Sequence, residues 1–226
     1  TAVREGEALD TRLLDPYLKA HIPGLHGTPV VSQFPGGASN LTYLLQYADR
    51  ELVLRRPPFG DKARSAHDMG REYRILTQLN SGFPYCPKAY LHCTDSALIG
   101  AEFYVMERVR GIILRADLPA ELHLSPGSTE ALCKGFIDRL VELHQVDYRA
   151  CGLAELGKPE GYVQRQISGW AERYEKALTP DAPAWAQVKA WLADKQPADS
   201  PRSAIVHNDY RFDNVILAAD DPLRIV

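Results

Sequence analysis

The chain has 226 residues, of which 45% are hydrophobic and 24% are charged; this composition is typical of a globular domain and excludes a disordered, collagen-like or coiled-coil protein. No segment approaches the ~20 consecutive apolar residues that span a bilayer, so we expect no membrane partner. The net charge is −3, which gives no electrostatic reason to expect a nucleic-acid partner.

The first half of the chain is predicted to be mostly β-structure. Short runs rich in Val, Leu and Tyr occur at Val30–Phe34, Leu41–Tyr47 and Glu51–Arg55. Turn-forming residues separate these runs, as expected for a β-meander. Pro57 and Pro58 follow the third run and predict the end of strand pairing, because proline has no N–H to donate to a ladder.

A helix is predicted over residues 63–79, followed by two strands at residues 89–92 and 102–108. The helix carries apolar side chains on one face, at Met69, Tyr73, Leu76 and Leu79. The second of the two strands, with the sequence EFYVMER, has a strong β-propensity.

After Gly111 the sequence pattern becomes helical. Helices are predicted over residues 130–146 and 163–177 and around Trp185 to Leu192, and their apolar stripes are predicted to be core faces. Short strands are predicted again at residues 204–206, 214–217 and 223–226. This order indicates an α+β protein with two lobes, a β-rich lobe over residues 1–108 and a mainly helical lobe over residues 109–226.

One polar motif lies between apolar runs near the end of the chain. His207, Asp209 and Asn214 form a His-x-Asp-x4-Asn pattern, with predicted strands on both sides that would hold the loop. Phosphoryl transfer requires a group that orients a hydroxyl and accepts its proton, together with oxygen ligands for Mg²⁺. The Asp209 carboxylate suits the first task, and the amide oxygen of Asn214 suits the second.

The motif from His207 to Leu217 resembles the catalytic loop of eukaryotic-like kinases. Its His-x-Asp form, followed by Asn-Val-Ile-Leu, is similar to that of the aminoglycoside phosphotransferase and choline kinase family. The resemblance implies a two-lobed protein-kinase-like fold, ATP as co-substrate and Mg²⁺ as cofactor. It also implies that Asp209 is the catalytic base, that Asn214 is a metal ligand, and that His207 braces the loop.

Other segments match the family's nucleotide site in the same order along the chain. Between the first two predicted strands the family folds a loop over the phosphates, and the resemblance implies this role for Gly36, Gly37, Ser39 and Asn40. Residues 106–109 resemble the hinge between the lobes. There the carbonyl of Glu107 and the N–H of Val109 are implied to bind adenine.

Arg55 stands where the family usually has a lysine that holds the α- and β-phosphates. Arginine is always charged and can bind phosphate with its forked head, although the two residues are not interchangeable. Glu72 is implied to pair with Arg55. Arg55 with Arg56-Pro57-Pro58, together with residues 104–111 and Gln166-x3-Trp170, resembles the branch associated with acyl-CoA dehydrogenases.

We therefore expect an ATP-dependent kinase of a small hydroxylated molecule, such as a hydroxyacyl-CoA, an amino alcohol or an aminoglycoside. A non-catalytic nucleotide-binding pseudokinase module, or an inactive kinase fragment, is the alternative. The family's second acidic, Mg²⁺-binding motif would follow Val226, which predicts a chain that is incomplete at its C-terminus. Serine hydrolases and zinc hydrolases are disfavoured because the sequence has no Gly-x-Ser-x-Gly or His-Glu-x-x-His motif.

The cysteine content bears on the compartment of the protein. Four cysteines in a chain of ordinary size fit a reducing environment better than a disulfide scaffold, which predicts a cytoplasmic protein. The oligomeric state is left open by the sequence.

Overall fold

The computed structural model describes residues 1–35, 40–58, 68–115, 118–119 and 122–226. In these ranges the strands are β1 (Val30–Gln33), β2 (Leu41–Gln46), β3 (Glu51–Arg56), β4 (Ala89–Cys93) and β5 (Phe103–Glu107). They form one antiparallel sheet with the order β1-β2-β3-β5-β4. The helices are α1 (Thr11–His21), α2 (Met69–Leu79), α3 (Pro126–Gln145), α4 (Tyr162–Ala177) and α5 (Ala186–Asp194).

The five strands predicted in the first half of the chain are confirmed, each within one residue of the predicted bounds. The predicted helix over residues 63–79 is confirmed from Met69 onward, and residues 63–67 lie outside the described part of the chain. Asp68 is the N-cap of α2, because its side chain accepts a hydrogen bond from the backbone N–H of Arg71.

Helix α1 is an element that the sequence pattern did not predict. Its N-cap is Asp10, whose side chain accepts from the N–H of Arg12. Leu14 and Leu18, one helical turn apart, are fully buried against one face of the sheet. The Asp10 cap and the spacing of Leu14 and Leu18 can be recognised in the sequence. Pro16 in the middle of the segment nevertheless argues against a helix, because proline removes a hydrogen bond from a helix interior.

The two faces of the sheet carry different residues, because side chains alternate along a strand. On β3, Leu52 and Leu54 point into the cluster that contains α1, and on β5 Phe103 and Val105 do the same. Arg55 follows Leu54 on β3, and Tyr104 lies between Phe103 and Val105 on β5, so both must point to the opposite face. The two residues pair directly across the two strands. Helix α2 packs along β4 and β5 and meets this second face.

The three strands predicted after residue 200 are wrong. The described structure has a 3-10 turn at Phe212–Asn214 and two isolated β-bridges, in which Leu217 pairs with Ile112 and with Ile225. These apolar runs are only three or four residues long. The second and third runs each pair through a single residue, Leu217 and Ile225, and residues 204–206 form no bridge, so that no regular ladder develops.

The prediction that the helical stripes are core faces is also wrong for most of the second half. Of the whole of α3 only Leu132 and Leu143 are buried, and α4 and α5 bury no residue. The two last helices pack against each other around a groove lined mainly by apolar side chains, including Ile167, Trp170, Tyr174, Trp185, Val188 and Leu192. A stripe at helical spacing predicts a contact surface, but it does not determine how deeply that surface is buried.

The α+β class is confirmed by the sheet and the helices described above. The division into lobes at residue 108 stays a prediction. Among the described helices, none is long and apolar enough to cross a membrane.

Gly111 provides a test of how the end of the chain is held. Ile112 and Leu217 exchange two backbone hydrogen bonds of 2.8 Å, and a Cβ on Gly111 would lie 2.1 Å from the Leu217 carbonyl oxygen. We expect Gly111→Ala to lower the free energy of unfolding by about 1–3 kcal/mol, because the added methyl group overpacks this contact. Urea unfolding measures the change.

Gly127→Ala is the matched control, since a Cβ at that position meets no atom within 4 Å. Gly127 lies at the start of α3, where alanine is a better helix former than glycine. Equal stability of Gly111→Ala and the parent chain would contradict the predicted contact.

Candidate active site

His207, Asp209 and Asn214 come together in one exposed loop, as their spacing predicted. The Asn214 side-chain NH2 donates to the Asp209 backbone carbonyl at 2.9 Å and to Asp209 Oδ2 at 2.7 Å. The Asp209 N–H in turn donates to His207 Nδ1 at 3.3 Å. Asn208 has a left-handed backbone with φ of 64°, which turns the chain sharply between His207 and Asp209.

Aromatic packing on α3 anchors this loop in place of the predicted flanking strands. The Tyr210 hydroxyl donates to the Phe136 carbonyl at 2.6 Å, and the rings of Tyr210 and Phe212 stack on Phe136 with centroids 4.1 and 4.2 Å away. Burial raises the pKa of Tyr210, so its hydroxyl keeps the proton that it donates. The loop is therefore attached to α3 on one side and to Ile112 through Leu217 on the other.

The orientation of Asn214 determines which oxygens the loop presents. Because its NH2 group faces Asp209, its side-chain oxygen points elsewhere, and it accepts no hydrogen bond from the described residues. Asp209 Oδ1 likewise has no hydrogen-bond donor among them. Two oxygen atoms of the type that Mg²⁺ prefers are thus available on one loop.

The two oxygens of Asp209 and Asn214 suit a cation whose remaining ligands are water molecules and substrate phosphates. Among the described residues no group of three or more His, Cys, Asp or Glu side chains could hold a metal ion. Mg²⁺ usually keeps several waters and binds through one or two protein oxygens plus the phosphates of a substrate. Asn214 and Asp209 are therefore compatible with a metal–nucleotide complex.

A second polar group lies on the sheet face that α2 covers. Arg55 Nη1 on β3 is 3.2 Å from Glu72 Oε2 on α2, so the pairing implied by the resemblance is present. Asn40 is buried, and its side-chain NH2 donates to Glu72 Oε1 at 2.9 Å. The structure therefore directs this predicted phosphate-binding side chain to Glu72. The other loop residues predicted to bind phosphate, Gly36, Gly37 and Ser39, lie outside the described residues.

The Arg55 guanidinium has donors that the described residues do not satisfy. Its Nε is buried without a hydrogen-bond partner, and its Nη2 also has none among the described residues. A buried donor without a partner is costly, and phosphate oxygens are the acceptors that match a guanidinium fork. The side chain thus fits the implied role of holding an anionic ligand.

Tyr104 is a member of this group that the sequence reasoning missed. Its hydroxyl donates to Glu72 Oε2 at 2.9 Å and accepts from Arg55 Nη1 at 3.3 Å. Burial raises the pKa of Tyr104 well above its ordinary value, and the nearby Glu72 carboxylate acts in the same direction. The strand alternation was a usable signal, because it places Tyr104 on the same face as Arg55.

The predicted hinge residues lie at the end of β5. Lys88 donates its N–H to Glu107 Oε1 at 2.7 Å and accepts from the Glu107 N–H at 2.9 Å, which fixes Glu107 against the segment before β4. The N–H of Val109 has no partner among the described residues. It is therefore available to a ligand, as the resemblance implies.

A cavity connects the predicted hinge residues with the loop that contains His207 and Asn214. Its volume is about 890 Å³, and its lining includes Glu107, Val109, His207 and Asn214. This is the size range of sites for small molecules and cofactors. Among the described residues, the lining does not include Arg55, Glu72 or Asp209, so the cavity contains only part of the predicted site.

Comparison of the sequence with known proteins assigns the chain to a family. Residues 30–226 match the model of the phosphotransferase enzyme family, APH. The chain is similar to acyl-CoA dehydrogenase family member 11 of Gallus gallus, with 38% identity over 220 residues that cover 95% of this chain and 28% of that protein. With the Homo sapiens member 11 it shares 35% identity over 213 residues, which cover 92% and 27%. The chain thus spans about a quarter of the length of these curated relatives.

Solved structures share the fold. A Ralstonia eutropha protein crystallised as a candidate aminoglycoside phosphotransferase is 34% identical, with a TM-score of 0.81 over 96% of this chain and 63% of that chain. The aminoglycoside phosphotransferase APH(2")-IIa in a ternary complex with streptomycin and ATP has a TM-score of 0.61 at 17% identity, covering 96% and 68%. At that identity the likeness shows a kinase-like fold. Since the family match extends over most of the residues that build the sheet, the hinge and the loop, the chain belongs to the APH phosphotransferase enzyme family.

Proposed function

We propose that the chain carries the nucleotide-binding part and the catalytic loop of a small-molecule kinase, which transfers the γ-phosphate of ATP to a hydroxyl group. The observation that carries the proposal is the Asp209–Asn214 pair. A hydrogen bond of 2.7 Å fixes the carboxylate, while one oxygen on each side chain remains available. In this proposal residues 1–108 form the nucleotide-binding lobe and residues 109–226 belong to the helical lobe.

In the proposed reaction Asp209 acts on the acceptor. Its carboxylate binds the acceptor hydroxyl and accepts the proton as the hydroxyl oxygen attacks the γ-phosphorus. A new oxygen–phosphorus bond forms, and the bond between the γ-phosphorus and the ADP oxygen breaks. Asn214 holds the carboxylate in position through its NH2 group, and His207 holds the backbone of Asp209. Mg²⁺, bound through the Asn214 oxygen, would neutralise the phosphate charge that develops.

The remaining predicted residues are proposed to hold the nucleotide. Arg55 presents a permanent positive charge to the phosphates, and Glu72 keeps that charge in place on the sheet. The backbone of Glu107 and Val109 is proposed to bind the adenine edge, for which the Val109 N–H is available. Because backbone groups make this contact, the side chains there do not determine it.

For the acceptor we propose a hydroxyacyl-CoA. The support is the similarity to acyl-CoA dehydrogenase family members 10 and 11. Amino alcohols and aminoglycosides are the competing acceptors. A panel of hydroxyacyl-CoAs, choline and streptomycin, assayed for ATP-dependent phosphorylation with the full native protein, tests the choice. Transfer to choline or streptomycin alone would contradict the proposal.

Asp209→Asn tests the chemical role of the loop. We expect kcat for phosphate transfer in the full native protein to fall by about 10²–10⁴-fold, because the amide cannot accept the hydroxyl proton. The dissociation constant of the Mg²⁺ complex of AMP-PNP should change by less than about threefold, because Asn214 and Arg55, rather than Asp209, are proposed to hold the metal and the phosphates. Kinetics of ADP release and calorimetry provide the two measurements.

Asp220→Asn is the matched control, because Asp220 is an exposed carboxylate of the same region whose partner among the described residues is Arg224. It should keep parental kcat. Binding of Mg²⁺–AMP-PNP without phosphate transfer by the parent protein would favour the non-catalytic nucleotide-binding module. Parental activity in Asp209→Asn would exclude Asp209 as the base.

Asn214→Ala tests the metal ligand. We expect the affinity for AMP-PNP in the presence of Mg²⁺ to fall by about tenfold or more, because one protein oxygen of the metal site is lost. In EDTA, without Mg²⁺, the variant and the parent chain should bind AMP-PNP equally. A loss of the same size with and without Mg²⁺ would indicate a role for Asn214 other than metal binding.

A further inference from the structure

The Arg55–Glu72 pair makes only one contact, and one contact does not fix a guanidinium. Arg55 Nη1 approaches Glu72 Oε2 at 3.2 Å, whereas the carboxylate's other oxygen is used by Asn40. The bidentate arrangement that normally orients an arginine on a carboxylate is therefore not formed. Around a single N–O contact the plane of the guanidinium could still rotate, and with it the direction of Nε and Nη2.

Tyr104 supplies the second contact. Its hydroxyl lies 3.3 Å from Arg55 Nη1 and 2.9 Å from Glu72 Oε2, so the three polar atoms form a closed triangle. The hydroxyl proton goes to Glu72, and an oxygen lone pair accepts from Arg55. Nη1 therefore has a hydrogen-bond acceptor in Tyr104 and an ion-pair partner in Glu72, and the two contacts together restrict the rotation of the guanidinium plane that either one alone would permit.

Tyr104 is well suited to hold this geometry. It is 1% exposed, and it pairs with Arg55 across neighbouring strands, which keeps the two side chains side by side. The hydroxyl also stays protonated across the physiological range, because burial raises the pKa of Tyr104. A buried tyrosine hydroxyl requires a partner, and here both of its partners belong to the predicted phosphate-binding group.

We propose that Tyr104 is a positioning residue, which orients the guanidinium plane of Arg55 so that Nη2 faces the nucleotide phosphates. The inference rests on the proposed function, since it assumes a bound nucleotide. It adds a residue that the implied Arg55–Glu72 pair does not include. It also accounts for the use of arginine at this position, because a lysine ammonium has no plane to orient.

Tyr104→Phe is the direct test, with the Mg²⁺ complex of AMP-PNP as the probe in calorimetry on this chain. We expect the dissociation constant to rise by about 3- to 10-fold, the size of one lost hydrogen bond. In the full native protein KM for ATP should rise by a similar factor, while kcat stays within about twofold, because Tyr104 does not contact the reacting atoms.

Tyr43→Phe is the matched control. Tyr43 is also a fully buried strand tyrosine with one donated hydrogen bond, to the Glu7 carbonyl at 2.8 Å, but it faces the α1 side of the sheet. Removal of its hydroxyl should lower the melting temperature comparably and leave the dissociation constant unchanged. If both variants weakened binding equally, the effect of Tyr104 would be a general loss of stability and the proposal would fail.

A double-mutant cycle with Arg55→Lys tests whether Tyr104 acts through Arg55. In the Arg55→Lys background we expect Tyr104→Phe to change the dissociation constant by less than about twofold, because there is no guanidinium plane left to fix. Independent, multiplicative effects of the two substitutions would overturn the proposal. The Nε–H resonance of Arg55 in an ¹⁵N-arginine spectrum gives a readout without nucleotide, and it should shift or broaden in Tyr104→Phe and not in Tyr43→Phe.

Binding of Mg²⁺–AMP-PNP by the parent chain separates a test of Tyr104 from a test of the nucleotide site itself. If the parent chain binds no Mg²⁺–AMP-PNP, the role of Tyr104 and the proposed function are both overturned. If the parent chain binds it and Tyr104→Phe binds equally well, only the role of Tyr104 is overturned, and the proposed function stands.

Discussion

The carboxylate of Glu72 is the point on which the proposed nucleotide side of the molecule depends. Side chains from three parts of the sheet region converge on it: Asn40 before β2, Arg55 on β3 and Tyr104 on β5. A partly buried carboxylate is stable only when its oxygens are well paired, and here both oxygens accept at least one hydrogen bond. The same contacts attach α2 to the sheet, so the position of the helix and the direction of the Arg55 charge are determined together.

The alternation of side chains along β3 and β5 keeps this polar group apart from the apolar core. Leu54 and Phe103 face α1 and make the lobe stable, while their neighbours Arg55 and Tyr104 face α2. A shift of one residue in the register of β3 against β5 would turn Leu52 and Leu54 away from the cluster that contains α1 and would turn Arg55 towards it. The energetics of the core therefore specify the register, and the register brings Arg55 and Tyr104 side by side.

How much could be predicted from the sequence depended on the range of the interactions. The strands and the His207–Asp209–Asn214 group were predictable, because turns and contacts over a few residues define them. Tyr104 needed knowledge of which strand is the neighbour of β3, and the anchoring of the catalytic loop on Phe136 needed a contact over 74 residues. The apolar stripes of the helices were wrongly predicted to be buried, as the exposure of Trp170 on α4 shows. The burial of a stripe depends on the other segments that pack nearby, which the sequence of the helix does not reveal.

The two halves of the proposed site are consequently held by contacts of different range along the chain. The Asp209 carboxylate is oriented by an amide five residues away, so its geometry is local and survives wherever the loop itself is intact. Among the described residues Arg55 has no local partner of this kind. Its contacts are with Tyr104, 49 residues away, and with Glu72 on α2, and both require the folded sheet. If the Arg55 guanidinium were free to rotate before the ligand binds, the entropic cost of ordering it would lower the binding affinity. The buried, protonated Tyr104 hydroxyl provides that orientation in advance, so an arginine can occupy this position without a bidentate carboxylate.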